Sequence, residues 1–173
     1  MPMRRAAFLS AALAAVIVSM GGTALHAQSE VQVFSPCPVT VPDPAFVPPT
    51  PYPSKAPGRS NSWHGTPRLW TMLYDDGIWE GLPRNPQGFR QKVFWWSPGY
   101  DGRTNPVPKL TVRGRRLNGE GSFVSAPATN AHHATFGGWA MLTGVDVPTA
   151  GCWELTGEYG GDTLTFVVSI ASE

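Results

Sequence analysis

Between Pro36 and Pro57 the chain places nine prolines in 22 residues, PCPVTVPDPAFVPPTPYPSKAP. Proline fixes φ and lacks a backbone N–H, so this density forbids helix and removes too many donors for a central strand. The tract is expected to run extended, as polyproline II. Turn residues stay frequent beyond it. The 173 residues include 19 glycines and 18 prolines without a Gly-X-Y period, which excludes collagen and disfavours long helices. An all-β fold remains.

Ahead of the tract, Met1 to Arg5 carries two cations, Ala6 to Met20 is an apolar run of 15 residues, and Leu25-His26-Ala27 precedes Gln28. This reads as a secretory signal cleaved after Ala27, because spanning the hydrocarbon core takes about 20 apolar residues. The expected product is exported, periplasmic or extracellular, and meets a membrane only through the signal before cleavage. Arg4-Arg5 with Phe8-Leu9 hints at twin-arginine export at imperfect spacing. In an oxidising compartment the pair Cys37 and Cys152 reads as a disulfide rather than a metal site or nucleophile. Closing that loop stabilises by roughly 4 to 5 kcal/mol in the chain-entropy picture.

The bridge also bears on the proline tract. Its two readings are a flexible stalk and an arm packed along the body through Val39, Val41, Phe46, Val47 and Tyr52; Cys37 favours the second. The chain then divides into a signal at 1–27, an arm at 28–60 and a β-sandwich at 61–173. Without Arg4 and Arg5, 11 Lys and Arg stand against 12 Asp and Glu, so no basic footprint for nucleic acid is present.

From Trp63 onward, short apolar runs alternate with turn residues. Leu69–Tyr74 and Ile78–Glu80 flank Asp75-Asp76-Gly77 and read as a hairpin, since Asp-Gly supplies the positive φ of a tight reversal. Phe89–Ser97, Lys109–Arg115, Ser122–Ser125, Trp139–Asp146, Cys152–Thr156 and Leu164–Ile170 follow, making about eight strands. In the last, Leu164, Phe166, Val168 and Ile170 alternate with the intervening residues at period two, and Tyr159-Gly160-Gly161-Asp162 makes the reversal from its partner. Strands at this spacing without a helical period predict an immunoglobulin-like, antiparallel two-sheet sandwich, with a barrel as the alternative.

The string PTAGCWELTGEYGGDTLTFVVSI, with KVFWWSPGYDG and FGGWAMLTGVDVP before it, resembles a family of uncharacterised exported bacterial proteins with a Gly-Cys-Trp motif followed by a Leu-x-Phe-Val-Val strand. More loosely, it is similar to the last hairpin of bacterial Ig-like domains. The resemblance spans about Trp63 to Ile170 and implies a fold, not an activity. Within the Gly-Cys-Trp-Glu segment each residue has a structural role: Gly151 permits a tight bend, Cys152 anchors the arm, Trp153 fills the core and Glu154 faces Arg113 or Arg115.

Two groups of residues are candidates for function. In Phe89–Trp96, Phe94 and Trp96 share a face with Arg90 and Lys92; if that face is wet, Trp96 with Tyr100 and Asp101 can receive a sugar or peptide side chain. If the arm covers it, the rings are packing. A metal site for copper or zinc would use His64 with His132 and His133, read as a loop pair. Adjacent histidines on extended backbone point to opposite faces, which weakens it. Catalytic motifs such as GxSxG, HExxH and phosphate-cradling glycines are missing from the sequence, leaving a hydrolase the least supported class. The expectation is thus an exported, non-catalytic module without cofactor, binding an unidentified envelope ligand or protein or serving a structural role.

Overall fold

The computed structural model describes residues 36–58 and 60–172, which belong to one compact unit. The expected signal at 1–27 and the start of the arm lie outside the described residues. Eleven strands are present among them: β1 Asn61–Gly65, β2 Trp70–Tyr74, β3 Ile78–Trp79, β4 Arg84–Asn85, β5 Gly88–Trp96, β6 Thr111–Arg116, β7 Ser122–Val124, β8 Thr129–His133, β9 Gly138–Val147, β10 Gly151–Tyr159 and β11 Asp162–Ile170. They form two sheets. The first runs β1-β2-β5-β9-β8 with β4 also on β5; the second runs β3-β11-β10-β6-β7. Separate edges on both sheets make this a sandwich and not a barrel.

The core lies between them. Val93 and Trp95 of β5 and Met141 and Val145 of β9 face Val112, Trp153, Leu155, Phe166 and Val168 of the second sheet. The period-two reading of the C-terminal strand holds: Leu164, Phe166, Val168 and Ile170 are all buried. Gly160 and Gly161, at φ +61° and +87°, form the two-residue reversal. Both central residues at positive φ match the right-handed twist of the flanking strands. Trp95 is pinned in this layer by its indole N–H, which donates to Thr143 Oγ1 at 3.2 Å.

Asp75-Asp76-Gly77 does not make a hairpin. The turn forms as expected, with Gly77 N–H on Tyr74 O at 2.9 Å and Gly77 at φ +66°. The chain then leaves the first sheet: β3 pairs parallel with β11, Ser169↔Ile78 and Ile170↔Trp79. Burial explains the departure, since Trp79, 4% exposed, belongs to the layer between the sheets. The antiparallel expectation thus fails at this pair. β1 takes the antiparallel place beside β2 instead.

The proline-rich segment is an arm and not a stalk. Cys37 is bonded to Cys152 of β10, with Cα atoms 5.3 Å apart. Thr40 occupies the side of β11 beyond β3: its N–H donates to Val167 O at 2.8 Å, and Val167 N–H donates to Thr40 Oγ1 at 2.8 Å. Further along, Phe46, Tyr52 and Ala56 lie against Trp63, Trp70 and Trp96. Val41 and Val47, expected among the contacts, are 73% and 52% exposed. Pro42 and Pro48 are buried in their place.

Candidate functional site

The expected aromatic patch of Trp96, Tyr100 and Asp101 is dispersed. Trp96 has no exposed surface; it packs edge-on to Trp63, with centroids 4.9 Å apart, under the arm. Alternation correctly sends Trp95 inward and Trp96 outward, but the outward face is roofed by the arm, so that ring has no area left for a ligand. The roof is specific in its bonds: Trp63 Nε1 donates to Pro53 O at 2.9 Å, and Tyr52 stands edge-on to Trp70 at 4.9 Å. Tyr100 is 5% exposed in the central core, edge-on to Tyr159, and burial, reinforced by Tyr159 and Asp101, pushes its phenol up to about 12. Asp101 organises a turn. It accepts the Arg103 N–H at 2.9 Å and pairs with the Arg103 guanidinium, whose hydrogen bonds hold the carboxyl below its ordinary range.

The histidines do not converge either. His64 is on β1 and His132 and His133 are on β8, which are opposite edges of the first sheet. Four strand spacings separate those edges, about 19 Å at 4.8 Å each, so a site sharing them cannot form. His64 lies half-buried near Phe166, and desolvation lowers its pKa against an opposing hydrogen bond to the Thr165 backbone. His132 lies against Trp139, its cross-strand partner. His133 caps a 3-10 turn at Ala134–Phe136, its Nδ1 accepting the Thr135 N–H. The pair expected in a loop therefore sits on an edge strand. Among the described residues no three His, Cys, Asp or Glu side chains form a metal-holding group.

Five ion pairs are present among the described residues, three of them across neighbouring strands. Glu154 meets Arg115, as anticipated, at 2.9 Å, and Arg113 meets Glu158. Arg90 grips Asp146 through two bonds of 2.8 Å, and Asn85 donates to the same carboxylate. These hydrogen bonds, that of Arg90 foremost, hold the Asp146 carboxyl below its usual range.

A different feature, unmarked in the sequence, interrupts the first sheet. β2 pairs with β5 only at Trp70↔Trp96 and Thr71↔Trp95, and β4 pairs with β5 only at Arg84↔Phe89 and Asn85↔Gly88. On that side Gln91 to Phe94 face no registered strand, over about 13 Å. β2 runs on to Tyr74 in register with β1 but parts from β5 after Thr71, before Asp75 to Gly77 carry the chain toward β11. The resulting notch, about 260 Å³, is lined by the buried Val93 and Trp79, by Met72, Phe94 and Tyr74, and by Asn61, Gln91 and Lys92 as its polar members. Gln91 Oε1 accepts the Lys92 N–H at 2.9 Å, satisfying one backbone donor at the break. No family model, curated protein or solved structure matches this chain.

Proposed function

We propose that the chain is an exported, non-catalytic β-sandwich that serves as a binding module in the cell envelope and takes its ligand at the notch between β2, β4 and β5. The observation carrying this reading is the break itself: aromatic surface and amide groups converge where a strand is missing from an otherwise paired sheet. Concave sites combining apolar walls with a few polar groups are the usual form of small-ligand sites. Export draws support from the signal-like start of the sequence and from the Cys37–Cys152 bridge, which suits an oxidising compartment.

Two measurements test the reading. Mass spectrometry of the secreted protein should find Gln28 at the amino terminus and no alkylatable thiol; a retained signal or two free thiols contradicts export with a bridge. Amide NMR of the labelled mature protein, titrated with envelope saccharides and peptides, should move resonances of Gln91 to Phe94 and Met72 to Tyr74. Responses confined to other strands would remove the notch as the binding face.

A further inference from the structure

We infer that the notch accepts a carboxylate-bearing pyranose, a uronate unit of an acidic saccharide; this rests on the notch being the binding face. Shape is the first argument. One end of the opening is closed by Pro83, whose carbonyl accepts the Arg90 N–H at 2.8 Å, and the other by Thr71, whose hydroxyl donates to Phe94 O at 2.7 Å. An extended peptide that adds a strand needs an edge open along its length. A four-residue gap stopped at both ends does not offer one, whereas a cavity of about 260 Å³ accommodates a single sugar ring.

Chemistry supplies the second argument. Tyr74 is 37% exposed and presents an aromatic ring beside the opening, a surface on which the C–H face of a pyranose can rest. Because Gln91 Oε1 is engaged by the Lys92 N–H, the Gln91 Nε2 group is the part of that amide left to donate. Lys92 is exposed and makes no ion pair among the described residues. The carboxylates nearby have other partners: Asp146 is held by Arg90 and Asn85, and Asp75 accepts the Ser62 hydroxyl at 2.6 Å. The lining thus includes a lysine without an ion pair, an amide with a donor to spare and an aromatic ring, a set whose chemistry suits an anionic oxygen pair on a ring.

The test is amide NMR on the oxidised mature protein with four probes: a trigalacturonate, monomeric galacturonate, the corresponding neutral trigalactose and a glutamate-containing tripeptide. The uronate should shift Gln91 to Phe94 and Met72 to Tyr74, and the neutral sugar should bind roughly tenfold more weakly, the worth of a hydrogen bond to a charged group. Lys92→Ala should weaken uronate binding to the same degree without moving the urea midpoint, while Lys109→Ala should leave it intact. Galacturonate as a monomer separates recognition of one ring from recognition of a polymer. Equal affinity for the neutral sugar, or insensitivity to Lys92→Ala, overturns the assignment of an acidic ligand. Tighter binding of the tripeptide at the same amides overturns the saccharide while leaving the notch as the binding face. No response to any probe at these amides removes both.

Discussion

Replacing Gly157 by alanine is expected to destabilise the sandwich by about 2 to 4 kcal/mol, the sum of overpacking and a weakened hydrogen bond. Gly157 lies on β10 directly beneath the indole of Trp95 from the opposing sheet: an added Cβ would stand 2.4 Å from Trp95 Cη2 and Cζ3, where ordinary contact begins at 3.4 Å. The ring would have to retreat by about 1 Å in an interior packed to crystal-like density. Trp95 is fully buried and tied to Thr143, so retreat also strains that bond. Gly157 does not have a positive φ, so backbone strain does not confound the result. Gly144 of β9 is the control: it too lacks a positive φ, and a Cβ there meets nothing within 4 Å. Gly144→Ala should be neutral or stabilising by about 0.5 to 1 kcal/mol, because alanine loses less backbone freedom on folding. Urea unfolding followed by tryptophan fluorescence should separate the variants by about 3 kcal/mol, roughly a hundredfold in the folding equilibrium, at similar m-values. A Gly157→Ala protein within 0.5 kcal/mol of wild type would refute the face-to-face closure on Trp95.

Removing the bridge by Cys37→Ser with Cys152→Ser should cost about 5 kcal/mol for a separation of 115 residues, read by urea unfolding; a loss below 1 kcal/mol would show that the arm needs no tether. Trp63→Phe keeps a ring under the arm but removes the donor to Pro53 O, and should lower stability by about 1 kcal/mol in the same assay. Trp96→Ala should cost about 3 to 5 kcal/mol, and a near-neutral effect would contradict its place with Trp63 and Trp70 beneath the arm. His64 has a pKa lowered on folding, so the unfolded chain binds its proton more readily. Its contribution to stability is complete well above the unfolded pKa of about 6.5 and declines as pH falls through and below it. The melting temperature should therefore drop from pH 7.5 to pH 5, less steeply in His64→Gln, and identical slopes would exclude the histidine as the source.

Several features were legible because they are local. The C-terminal hairpin combines a period of two with a Gly-Gly reversal, and both signals act within a few residues. Asp75-Asp76-Gly77 was equally legible as a turn, yet the strand leaving it pairs with β11, since turn chemistry specifies a reversal and not the next partner. β8 reads as a loop because Thr129 to His133 lack apolar alternation; on a sheet edge, backbone pairing with β9 forms that strand without it. For Trp96, alternation identified the face but could not say whether anything covered it. The notch had no sequence signal, because a missing neighbour is not a property of Gln91 or Lys92.

By itself, the sequence determined a proline tract barred from helix and central strand, a turn-rich all-β chain, a cysteine pair able to join arm to body, and strands whose inward residues alternate. These follow from φ restriction, side-chain period and thiol chemistry, which operate over a few residues or in a given redox compartment. The expected continuous extended run is broken by turns in which the Phe46 N–H donates to Asp43 O and the Tyr52 N–H to Pro49 O. Only the tertiary structure decided that the arm roofs Trp63, Trp70 and Trp96, that β3 deserts the first sheet for the second, and that Gln91 to Phe94 are left without a neighbouring strand. Each of those outcomes depends on which distant segments arrive side by side, and burying Trp79 and Trp96 selected among pairings that local geometry left equivalent.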